Sequence, residues 1–110
     1  MSDPYQVPDM NALLEEVRAQ TEQVQRIQKS VEKMEVKGYS RGHEVVATLR
    51  GDGRFTDISI DPETVRRFPA RELGEIVLEA VNNGLTKLGE ASRAKFAPVI
   101  DAAGAGTPQQ

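Results

Sequence analysis

The chain of 110 residues has no cysteine and one histidine, and no stretch of it approaches the roughly 18 to 20 apolar residues that span a bilayer. Without cysteine there are no disulfides, no thiolate nucleophile and no cysteine-based zinc site. The single histidine, His43, lies between Gly42 and Glu44 with no second ligand at a metal-binding spacing, so it reads as a turn or surface residue. Residues 1–8 carry neither a basic region nor an apolar core, which makes a Sec-type signal peptide unexpected and the cytoplasm the default compartment. Gly51, Asp52 and Gly53 resemble a glycine-rich anion loop only superficially, because they join two strands and no helix follows to hold the phosphate. Asp61 and Glu63 form a carboxylate pair that a helix cap explains. These absences point to a protein that is not an enzyme and holds no cofactor or metal.

The most patterned stretch is Met10 to Met34. Met10, Leu13, Val17, Val24, Ile27, Val31 and Met34 follow alternating steps of three and four, with Gln20 at the one polar position of the seam. That heptad pattern predicts a helix of about 37 Å that packs on another helix. A rod so long and so thinly apolar cannot bury its seam on a chain this small along its whole length, so a homodimer is expected. The apolar content of 38% allows only a modest core, which favours association as well. The dimer interface is assigned to Met10, Leu13, Val17, Val24, Ile27 and Val31, joined by Ala80 and Gly84.

Residues 1–8, with Pro4 and Pro8, are expected to form a flexible arm. Asp9 or Asn11 caps the first helix. After Met34 the period changes to two, with strands over Val36–Arg41, Glu44–Arg50 and Phe55–Ile60. Gly51, Asp52 and Gly53 between the last two supply the positive φ of a tight hairpin. Asp61 and Pro62 start a short helix to Arg67, which Phe68 ends because it precedes Pro69. A long helix then runs from Pro69 to about Phe96, its apolar stripe of Leu73, Ile76, Val77, Ala80, Val81, Leu85 and Leu88 wide enough to cover a sheet. Gly84 and Gly89, with Ala80 and Ala91 nearby, would allow close approach of another backbone. Pro98 is expected to end this helix. The fold class is therefore α+β, one domain over 9–98, with a disordered tail over 99–110 that is rich in alanine and glycine.

This order of elements, with the particular residues at its joints, resembles the YbaB/EbfC family of bacterial nucleoid-associated proteins. The matching stretches are VEKMEVKGYSRG (Val31 to Gly42), VVATLRGDGRFTDISIDPE (Val45 to Glu63) and LGEIVLEAVNNGLTKLGEASRAKF (Leu73 to Phe96). The resemblance implies a tweezer-like homodimer in which strands of two chains associate and the long helices project as arms. It also implies binding of double-stranded DNA, largely without sequence preference, and a role in nucleoid organisation or transcription. The first helix departs from the family's methionine- and lysine-rich pattern, being rich in glutamate and glutamine. With actinobacterial paralogues encoded beside specialised secretion systems, this keeps a second reading open: an adaptor of the same fold with a protein partner and weak or no DNA binding. No membrane association is expected.

A net charge of -3 gives no bulk attraction to DNA, so any contact must come from a local patch acting within a Debye length of about 8 to 10 Å. Three basic groups are candidates. Lys29, Lys33, Lys37 and Arg41 surround the junction of the first helix and the sheet. Arg66, Arg67 and Arg71 surround the corner at Pro69, opposed only by Glu63 and Glu72, and are the favoured group. Lys87, Arg93 and Lys95 lie toward the end of the last helix. The first two groups are taken as the DNA contacts. No helix-turn-helix pattern or basic recognition helix is present for base-specific readout.

Overall fold

The computed structural model describes residues 9–104. The expected N-terminal arm and the last six residues of the expected tail lie outside the described residues. Six elements follow one another: α1 (Met10–Lys33), β1 (Glu35–Tyr39), β2 (Val45–Arg50), β3 (Phe55–Ile60), α2 (Pro62–Arg67) and α3 (Ala70–Gly104). The α+β class holds, with a long helix, a three-stranded antiparallel sheet and a second long helix. The chain is a rod of 82 × 31 × 16 Å whose radius of gyration of 22.4 Å far exceeds the roughly 13 to 14 Å of a compact domain this long.

Local chemistry sets most boundaries. Asp9 is the cap of α1, its carboxylate accepting from the Asn11 N–H at 3.0 Å. Asp61 does the same for α2, accepting from the Glu63 N–H at 3.1 Å with Pro62 in the first turn, and Phe68 leaves the helix in an extended conformation before Pro69. Strand β3 has the expected limits. Strand β1 ends two residues early, at Tyr39, because Ser40 turns the chain: its N–H donates to the Val45 carbonyl and the Val45 N–H donates back to Ser40 Oγ at 3.0 Å. His43 sits in that turn at φ 60°, in the left-handed region.

The sheet order is β1-β2-β3. Val36 opposite Leu49, and Gly38 opposite Ala47, turn toward α3, as do Val45 and Ala47 opposite Ile60 and Ile58 on β3. Val45, Ala47, Leu49 and Ala80 are completely buried, with Ile76, Val77, Val81, Phe55 and Ile60 packed around this small core. Helix α3 lies chiefly on β1 and β2. Two of its side chains also satisfy the outer edge of the β1 end: Asn83 Oδ1 accepts from the Tyr39 N–H at 2.9 Å and Glu79 Oε1 from the Arg41 N–H at 3.1 Å. Strand β3 is left as the open edge, with Ile58 40% exposed on the apolar face. Leu78 and Leu85, exposed on α3, lie by helical geometry on the flank away from Glu79 and Asn83, that is on the β3 side.

Four expectations are corrected. First, α3 continues through Pro98 to Gly104. Interior proline costs about 3 kcal/mol, and the continuation brings Val99 beside Val17 and Val24 of α1, which offsets part of that cost. Second, Ala80 and Gly84 are not free for a partner copy, since both are buried against β1 and Leu49 of their own chain. Val31 is likewise buried, and Val24 and Ile27 are half-buried. Third, of the hairpin glycines only Gly53 needs positive φ, at 87°. Gly51 is required for proximity: a Cβ there would fall on the Val31 carbonyl, while its N–H donates to the Met34 carbonyl at 2.9 Å and ties the hairpin to the end of α1. Fourth, Leu85 is exposed instead of covering the sheet.

Gly38 is the tightest contact of the sheet with α3. A Cβ on it would strike the Ala80 carbonyl oxygen and the Gly84 backbone, so strand and helix touch main chain to main chain. Gly89 faces open space. Gly38→Ala and Gly51→Ala should each destabilise by about 1 to 3 kcal/mol or more through overpacking, whereas Gly89→Ala should stabilise by up to about 0.8 to 1.0 kcal/mol through helix propensity. Thermal unfolding of the three variants checks both the magnitude and the opposite signs.

Candidate nucleic-acid interface

The two long helices run antiparallel where they meet, since Lys95 of α3 reaches Ser30 of α1 and Val99 reaches the Val17 to Val24 stretch. Their contact ends the apolar seam of α1 at the sheet and leaves a groove on its flank. Arg26, Lys29, Ser30, Lys33, Met34 and Lys95 line this open groove of about 520 Å³. Arg26, Lys29 and Lys33 are placed there by steps of three and four on α1, and Lys95 is delivered from α3 by the antiparallel pairing. The Lys95 ammonium donates to Ser30 Oγ at 2.9 Å. No carboxylate lines the groove, and none of its four cations has an ion-pair partner among the described residues. The nearest acid along α1 is Glu32, which shares the neighbouring hollow with Lys29.

The other candidate cations are distributed elsewhere. Lys37 pairs with Thr48 across β1 and β2, which puts it on the sheet face away from α3. Arg41 lies at the β1–β2 turn in a hollow shared with Tyr39, His43, Glu79 and Lys87. The Lys87 ammonium sits 4.7 Å from the centre of the Tyr39 ring, whose other neighbour is the His43 ring, stacked at 4.9 Å. Lys87 is therefore part of the hairpin's packing. Lys29 and Lys33 are brought together as expected, but Lys37 and Arg41 do not join them.

At the α2–α3 corner the arginines have company. Arg66 forms an ion pair with Glu63, and the Arg67 guanidinium lies over the Phe68 ring at 5.6 Å. Glu44 is close enough for Arg67 to help keep it ionised. Its carboxyl is lowered from the ordinary 4.5 mainly by the Ser40 hydroxyl, which donates to it at 2.7 Å, and also by nearby backbone N–H groups, against an opposing desolvation effect. Arg71 begins α3 beside Glu72. This corner is a mixed surface, and the groove between α1 and α3 is the purely cationic one.

Lys95 and Arg26 complete the groove and were not among the expected contacts. Lys95 is 65 residues from Ser30, so only the helical hairpin brings the two together, and the i, i+3 spacing of Arg26 and Lys29 was the one local signal.

The sequence profile of the YbaB/EbfC DNA-binding family matches residues 6–103, nearly the whole rod. The chain belongs to this family. Among similar proteins, a nucleoid-associated protein of Rhodococcus erythropolis is 31% identical over 105 residues, covering 96% of this chain and 94% of its own. A nucleoid-associated protein of Thermobifida fusca is 31% identical, covering 91% and 90% respectively. One from Rhodococcus jostii is 30% identical, covering 90% and 88%. Among the described residues of this YbaB/EbfC member, no helix is long and apolar enough to cross a membrane, and no group of three or more acidic, histidine or cysteine side chains could hold a metal ion.

Because the folded Glu44 carboxyl titrates below the unfolded one, its stabilising contribution is present above about 4.5 and is lost as pH falls through the lowered folded value. Ser40→Ala should move the Glu44 carboxyl back up toward its ordinary range and shift that acid loss of stability to higher pH. An NMR titration of the Glu44 side chain in both proteins measures it.

Proposed function

We propose that this YbaB/EbfC protein binds double-stranded DNA through its phosphates, with little sequence preference, as a homodimer that acts in the nucleoid on DNA organisation or transcription. The observation that carries the DNA contact is the carboxylate-free groove of Arg26, Lys29, Lys33 and Lys95. Phosphate contacts supply sequence-independent affinity, and a local patch can act although the whole chain is at -3, because distant acids are screened. The family's description and the names of the relatives support the same reading.

The dimer reading is supported by what the single chain leaves open. The end of the β1 edge is served by Asn83 and Glu79, whereas the β3 edge is bare beside Ile58, Leu78 and Leu85. An unpaired edge next to exposed apolar side chains favours antiparallel pairing with its own copy. The two pairs of long helices would then be the projecting arms, each with one groove near its base. Met10, Leu13 and Val17 of the apolar seam lie exposed toward the arm's far end, where a partner could cover them. Lys37, Arg41, Arg66, Arg67 and Arg71 become peripheral in this arrangement.

Four cations in each of two grooves give up to eight phosphate contacts, and at about -0.9 per phosphate the plot of log K against log salt should have a slope near -7. Replacing Lys33 and Lys95 by alanine removes half of them, so the slope should fall to about -3.6. Alanine at Arg66, Arg67 and Arg71 should change it much less. A duplex titration across salt makes the comparison, and an unchanged slope in the Lys33, Lys95 variant would exclude the groove as the contact.

A further inference from the structure

Ser30 is the one hydroxyl in the cationic groove. It is exposed, in the last full turn of α1, and its Oγ accepts from Lys95 at 2.9 Å. Arg26 stands one turn before it, Lys29 directly before it and Lys33 three residues after it, so it shares the groove with four cations that form no ion pair among the described residues, while Glu32 and Glu35 lie in the adjoining hollows. An uncharged serine gives the groove little that a longer polar or apolar residue would not. A phosphate on that oxygen would have Lys95 at hand, with Arg26 and Lys33 one turn away on the same face of α1.

We infer that Ser30 is a phosphorylation site, and that its phosphate is captured by the groove and closes it to other phosphates. The reaction is transfer from ATP by a serine/threonine protein kinase that accepts basic residues before its target. The Ser30 Oγ–P bond forms as the bond from the γ-phosphorus to the bridging oxygen breaks, the hydroxyl proton is released, and ADP leaves. The product carries between one and two negative charges at neutral pH and three acceptor oxygens. At a bare helix C-terminus such a charge is unfavourable, since it meets the negative end of the helix dipole. Here Lys33 and Lys95 oppose that effect, and the phosphate stays where it can make charge-assisted hydrogen bonds across the two helices.

Two consequences differ in kind. Within the protein, the phosphate strengthens the α1–α3 contact by replacing one neutral hydroxyl bond with charge-assisted ones. Toward DNA, it consumes about half of the positive charge of each groove. This second consequence rests on the proposed DNA contact; the first does not.

The test uses the full chain with phosphoserine installed at position 30 during synthesis, beside the unmodified protein. The 31P titration of the phosphorylated protein should give a second ionisation below the ordinary value of about 6, because cations favour the dianion, and Lys95→Ala should return it toward that value. An ordinary ionisation insensitive to Lys95→Ala overturns the capture. In duplex titrations the phosphorylated protein should lose about half the salt slope of the unmodified one. Equal slopes for the phosphorylated and unmodified proteins overturn the closing of the groove. If neither form binds DNA, the DNA reading fails and the 31P result alone decides the capture. Finally, incubation of the folded protein with ATP and a basophilic serine/threonine kinase should place a phosphoryl group on Ser30 by peptide mass spectrometry, and absence of label there overturns its assignment as a modification site.

Discussion

The contact on which the rest of the molecule depends is the main-chain approach of α3 to β1 at Gly38. With no side chain between them, the Ala80 and Gly84 stretch of α3 sits directly on the strand, and the helix is drawn toward the β1 side of the sheet. That position lets Asn83 and Glu79 satisfy outward amides near the β1 end. It also leaves β3 uncovered. A helix centred on the sheet would have shielded Ile58 and left both edges alike. The close approach at Gly38 goes with an α3 that serves the β1 end and leaves the β3 edge uncovered.

The same placement fixes the arm. Because α3 is anchored at Gly38 and α1 is tied to the hairpin through Gly51 and Met34, the two helices leave the sheet side by side and antiparallel. Antiparallel pairing puts the basic end of α1 beside Lys95 and the acidic residues Glu15 and Glu16 toward the far part of the arm, with Glu22 one turn from Arg26. Glu32 and Glu35 lie in the hollows that adjoin the groove, so the cationic surface is a local one.

Much of the fold was legible because the signals were local. Asp9, Asp61 with Pro62, and Phe68 before Pro69 mark helix ends by chemistry that acts within three residues. The alternation in β2 and β3 marks the apolar face. What escaped was set by distance in sequence. Gly84 looked like a candidate partner contact, whereas it and Gly38 fit each other within one chain. Gly51 looked like a turn requirement, but the Val31 carbonyl is its reason. Pro98 was expected to stop α3, but the helix runs on to Gly104 and brings Val99 beside α1, which offsets part of the proline's cost. The basic groups suffered similarly. Proximity along the chain grouped Lys37 with Lys29 and separated Lys95 from it, while the fold does the reverse. The Arg66 to Arg71 run looked uncommitted because its partners, the Phe68 ring and the nearby Glu44, act through geometry that composition does not reveal.

The central claim is that DNA lies against the base of each arm, between α1 and α3. Amide chemical-shift mapping by NMR, with a short duplex added to the uniformly labelled protein, tests it most directly. The account predicts that the largest changes fall on Arg26 to Met34 and around Lys95, with little change from Pro62 to Arg71. Changes concentrated at the α2–α3 corner, with Arg26 to Met34 unmoved, would contradict it.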